Sequence, residues 1–225
     1  MKNLSILFSF FLFTITSISQ NEVNNYVEIR DQLKVLGEES TGFKNMDGSP
    51  YLEEEFVPGV IIEEGKKNQP AFFRYNVRKD QVEIKVDEDG DDIFVLPRTN
   101  NFSFKLNDYT YVVDNLKTKE NKILMGYIQE FYKGDKLVLI GKPSINISAP
   151  RAPETSYDKG RPAKQTTINH YYFGFAGEPL EEIKLKEKTF RKIFEEDFME
   201  SYFKENKVKE IDDFIDMLQF YESNS

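Results

Sequence analysis

The stretch AFFRYNVRKDQVEIKV, residues 71–86, decides the fold class. Phe73, Tyr75 and Val77 alternate with Phe72, Arg74 and Asn76; after a polar turn, Val82, Ile84 and Val86 alternate with Gln81, Glu83 and Lys85. A period of two with β-branched and aromatic residues on one side specifies paired antiparallel strands with one buried face. The same signal extends both ways, through 56–63 (FVPGVIIE), 92–96, 101–106, 109–114, 122–132 and 136–141, each run ended by Gly, Asp, Asn or Pro. It resumes at 169–175 (NHYYFGF) and at 181–186. Short strands punctuated in this way predict an antiparallel meander of about seven to nine strands, either an open curved sheet or a half-barrel.

Outside the β domain, taken as 51–186, the period changes. Residues 22–36 carry an apolar spacing that predicts a short helix ended by Gly37, followed by an irregular polar stretch to Pro50. In 187–225, Phe190, Ile193, Phe194, Phe198, Tyr202 and Phe203 form one helical stripe, and Ile211, Phe214, Ile215, Leu218 and Tyr221 form a second. The expectation is an α+β protein whose curved sheet packs against a C-terminal αα-hairpin. Residues 1–19 (MKNLSILFSFFLFTITSIS) have one charge, Lys2, an apolar run and a small-x-small ending, which predicts an export signal cleaved before Gln20. No second long apolar run follows, so no transmembrane segment is expected in the mature chain. A periplasmic or envelope-associated address is expected.

Composition restricts the chemistry. The chain has 225 residues, no Cys, one His and a formal charge of −9. Disulfides, thiolate metal sites and thiol nucleophiles are excluded, and a multi-histidine metal site is impossible. The acidic balance disfavours nucleic acid as a partner. His170 falls in a predicted strand, opposite Tyr171, Phe173 and Phe175, with no nucleophile motif beside it, and is expected to be a surface or a satisfied structural residue. The run Asp87–Asp92 departs from the EF-hand pattern at its sixth and twelfth positions, Asp92 and Arg98; a charged hairpin turn and a weak calcium loop are the alternatives. No cofactor, metal ligand set or catalytic residue is marked, and a non-enzymatic protein is expected.

Two features remain as candidate binding devices. Residues 149–166 are Pro-rich and almost free of apolar side chains, and Arg151, Lys159, Arg161 and Lys164 make them a basic island suited to an acidic protein or envelope component. Aromatic residues on nearly every strand would either fill the core or line a cavity for an apolar small ligand.

Several strings together resemble a family of small exported proteins from flavobacterium-like Bacteroidota: Gly48-Ser49-Pro50-Tyr51-Leu52 followed by Glu55-Phe56 and Gly59, Arg74-Tyr75-Asn76 before Asp80 and Glu83, and the APRAPETSYDKGRPAK segment with its return strand. The resemblance implies an exported address and a fold type, with no activity attached. It departs at the tail, where Glu195-Glu196-Asp197 is acidic and the family tends to be Lys-rich. Gly48-Ser49-Pro50 reads as a tight turn, Tyr51 as an anchor to the sheet, and Asn76 as the residue that ties the turn after it by an Asx-type bond. These are structural roles.

Overall fold

The alternation in 71–86 becomes β4 (Gln69–Asn76) and β5 (Gln81–Lys85), an antiparallel pair with Phe73 opposite Ile84 and Tyr75 opposite Val82. All four side chains are buried. The computed structural model describes residues 34–35 and 46–225, except Pro97, Asn107 and Ser156. The predicted signal at 1–19 and nearly all of the predicted helix 22–36 lie outside the described residues. The two residues of that helix that are described, Lys34–Val35 (β1), instead pair as a strand with Val95 and Phe94.

The other strands are β2 (Met46–Asp47), β3 (Val57–Glu63), β6 (Phe94–Val95), β7 (Phe102–Leu106), β8 (Tyr109–Lys117), β9 (Ile123–Lys133), β10 (Leu137–Ser148), β11 (Ala163–Phe175) and β12 (Glu181–Ile183). They form one sheet in the order β1-β6-β5-β4-β3-β7-β8-β9-β10-β11-β12, antiparallel except where β2 lies parallel to the start of β11. The meander is therefore two meanders joined at β3 and β7, because the chain returns from β6 across the sheet before starting β7. Arg98 anchors that return, donating to the carbonyls of Asp80 (2.8 Å) and Lys79 (3.3 Å) in the β4–β5 turn.

The sheet is curved and unclosed, and buried aromatic rings pack together on one of its faces. Tyr75 contacts the rings of Tyr111 (5.0 Å between centroids) and Tyr127 (6.1 Å), and Phe104 contacts Phe73 (5.7 Å) and Tyr127 (6.0 Å). Burying these rings supplies both apolar area and edge-to-face contacts.

The helices cover one end of the same sheet. They are α1 (Glu187–Phe190), α2 (Asp197–Glu205) and α3 (Ile211–Asn224). Phe190, Phe194, Met199, Phe214 and Leu218 pack with Leu137, Leu139 and Phe173 of β10 and β11. The single helix expected through Phe190–Phe203 is broken between α1 and α2. The break lets Glu196 flank and Asp197 open the first turn of α2, where the helix dipole favours acids, rather than holding three consecutive acids in mid-helix. Glu196 also accepts a hydrogen bond from the Tyr221 hydroxyl (2.9 Å). Among the described residues, no helix is long and apolar enough to cross a membrane.

Candidate functional site

Strands β10 and β11 run further than their sequence periodicity suggests. Their ladder continues from Leu137–Phe175 to Ser148–Lys164, whereas the β9–β10 ladder ends at Gln129–Gly141. Pro143 gives the physical reason. It lacks an N–H, so it fits only where its nitrogen faces away from the paired neighbour. Here β11 is the paired neighbour, opposite Asn169, and β10 separates from β9. Residues 142–148 extend this arm by about 23 Å at ~3.3 Å per residue.

The loop at the tip of the arm is braced. Arg151 and Arg161 exchange backbone hydrogen bonds (2.9 Å each). Asp158 accepts from the N–H groups of Gly160 (2.9 Å) and Glu154 (3.2 Å) and pairs with the Arg151 guanidinium (2.9 Å). Glu154 also pairs with Arg151 (3.2 Å). Gly160 has φ +63°, and a Cβ there would come within 2.6 Å of the Arg151 carbonyl oxygen. The four predicted cations therefore divide. Arg151 is engaged with Glu154 and Asp158 inside the loop, and Lys159, Arg161 and Lys164 are exposed as it is. Beside them stands Tyr157, 98% exposed, which sequence reasoning did not single out.

Residues 48–52, Phe56, Arg74, Asn76 and Glu83 converge on a structural seam. The segment 48–52 lies between β4 and β11: Val77 N–H donates to the Pro50 carbonyl (2.8 Å), Leu52 N–H to the Tyr75 carbonyl (3.1 Å), and the Gln165 amide to the Gly48 carbonyl (2.9 Å). Gly48 has φ +89° against the Gln165 backbone, and the Ser49 hydroxyl accepts from Tyr51 N–H (3.1 Å). Arg74 lies over the Tyr51 ring (3.8 Å) and the Phe56 ring (4.5 Å) and pairs with the buried Glu83 (2.6 Å), which also accepts from the Tyr51 hydroxyl (3.1 Å). Asn76 accepts from Lys79 N–H (3.1 Å), three residues on, and ties the turn between β4 and β5.

Where β10 leaves β9, Asp80 enters from the β4–β5 turn. Its carboxylate accepts from the Tyr75 hydroxyl and from Tyr127 N–H (3.2 Å), and it pairs with Lys142 (3.2 Å) and Arg98 (3.3 Å). Lys142 also donates to the Tyr127 carbonyl (2.7 Å). Burial lowers the Lys142 pKa, opposed by the charge of Asp80. Burial likewise raises the pKa of Tyr75, reinforced by Asp80. A second, partly buried polar pair joins Glu53 to the Tyr109 hydroxyl; desolvation raises both pKa values, and the charge on Glu53 raises Tyr109 further.

His170 lies on the face opposite Phe173, as its parity predicts, yet it has partners on both ring nitrogens. Nε2 is 2.9 Å from Ser144 Oγ and Nδ1 is 2.8 Å from Glu182 Oε1. These residues belong to three strands and meet only through diagonal register, which no local motif encodes. The Asp87–Asp92 run forms a turn in which Gly90 N–H donates to the Asp87 carbonyl (3.1 Å). No three acidic or histidine side chains among the described residues converge as a metal site. No known protein family, curated protein or solved structure matches this chain.

Proposed function

We propose that this chain is an exported envelope module that binds an acidic protein or surface component through the tip of the β10–β11 arm. The braced loop that holds out Tyr157 with Lys159, Arg161 and Lys164 carries this reading. A loop already fixed by Asp158 and Gly160 loses little conformational freedom on binding. An exposed tyrosine beside cations is a residue set that dominates many interfaces, and the local positive charge on an acidic protein orients the encounter. The export signal read at 1–19 supplies the address, and an N-terminus near Gln20 in protein purified from its native envelope is expected by mass spectrometry.

Packing supports tip binding over carriage of an apolar ligand within the sheet. Tyr75, Phe104, Tyr111 and Tyr127 are buried against one another. Among the described residues, two clefts beside β12 hold about 80 and 110 Å³, well below the ~300 Å³ at which small-molecule pockets begin. The test is capture from envelope extract by the full chain and by a form lacking 151–164. A partner held by the parent, released by salt and lost on deletion is expected; identical capture by both forms refutes the tip as the binding surface.

A further inference from the structure

The Ser144–His170–Glu182 row is the strongest feature that tip binding leaves unused. A carboxylate can only accept, so the Nδ1 facing Glu182 is the donor, and the neutral tautomer of that geometry leaves Nε2 without a proton. Nε2 is then the acceptor for the Ser144 hydroxyl at 2.9 Å. Nucleophile, base and orienting carboxylate stand in the order and at the distances of a serine-hydrolase triad. All three remain accessible to solvent, with side-chain exposures of 34% for His170 and 45% for Glu182. Ile168 lies directly across the ladder from Ser144 and is 40% exposed, giving an acyl chain an apolar rest.

We propose that Ser144 is a base-activated nucleophile that accepts acyl groups from small esters. In the forward step Ser144 Oγ forms a bond to the carbonyl carbon while its proton passes to His170 Nε2. The ester C–O bond then breaks, and the leaving oxygen takes that proton, which leaves the acyl group on Ser144. Water repeats the sequence: it gives a proton to His170, displaces Ser144 Oγ and releases the carboxylic acid, and His170 returns the proton to Ser144. Pro143 also sets a limit. Because its nitrogen faces away from β11, the amide of Ser144 faces β11 and is engaged in the ladder. It is not free to stabilise an oxyanion, and the acceleration is expected to rest on general-base catalysis, about 10²–10⁴-fold.

The site is independent of the arm tip, so the test separates the two proposals. The full chain is treated with a fluorophosphonate and with p-nitrophenyl acetate, and the adduct is located by peptide mass mapping. The expected result is a single adduct on Ser144, absent in S144A and formed on the order of 10²-fold more slowly in both H170A and H170Q. Glu182→Gln is expected to slow it as well, and deletion of 151–164 to leave it unchanged. Melting temperatures are expected to match the parent, since none of the three side chains is buried. No adduct, an adduct elsewhere, or labelling of Ser144 at the parental rate in H170A and H170Q overturns the proposal.

Discussion

Replacing Gly126 with Ala tests how the curved sheet is pinned. Gly126 has φ +91°, and a Cβ built on it would lie 1.9 Å from Asp80 Oδ2. An L-residue at that φ costs about 1–2 kcal/mol. The carboxylate must also move away from Tyr75, Tyr127 N–H and Lys142, whose side chain is only 19% exposed. Leaving a largely buried cation without its counter-ion costs about 3 kcal/mol, the lower end for broken buried pairs. The sum is about 4–5 kcal/mol, or a fall in Tm of roughly 10–15 °C for a domain of this size. Urea denaturation monitored by circular dichroism measures it. Asp80→Ala alone is expected to cost about 3 kcal/mol through the same unpaired Lys142. The double variant should then cost about 4–5 rather than 7–8 kcal/mol, since the clash has nothing left to displace. Gly126→Ala within about 0.5 kcal/mol of the parent, or strictly additive costs, would refute the reasoning.

Other expectations follow from the same geometry. Phe190→Ala should destabilise by about 3–5 kcal/mol, because the ring is fully buried among Phe173, Phe194 and Phe214; chemical denaturation checks this. Glu222 reaches from α3 to accept the N–H groups of Asp135, Lys136 and Leu137. Burial raises its pKa, but these donors win and hold it below the usual 4.5. A lowered folded pKa gives stability that is present above 4.5 and lost as pH falls through the folded value. Stability curves of the parent and Glu222→Gln should therefore differ at pH 7 and converge in acid. In the arm, Arg151→Ala should change global stability by less than about 1 kcal/mol, as exposed ion pairs do, while limited proteolysis within 152–160 accelerates.

Much of the fold was legible because alternation has a direct physical cause. Phe73, Tyr75, Val82 and Ile84 announce a buried sheet face whatever the strand order. The strand order itself was not legible: β7 pairs with β3 because of the crossover that Arg98 secures, a non-local interaction. The run read at 136–141 stops short of Pro143, which lies in mid-strand because its missing donor faces an unpaired edge. The basic loop was legible from composition, whereas its internal use of Arg151 depends on the conformation of Asp158 and Gly160. Asp80, Lys142 and the partners of His170 gave no signal, since turn placement and diagonal register bring them together.

The central claim, that the arm tip is where this protein meets its partner, is tested most directly by photocrosslinking from position 157. Tyr157→p-benzoylphenylalanine in the full chain, irradiated in its native cells, is expected to give one discrete adduct. Reversing the charges of Lys159, Arg161 and Lys164 should abolish that adduct. Absence of an adduct, or the same adduct from a control position on α3 such as Gln219, would contradict the account.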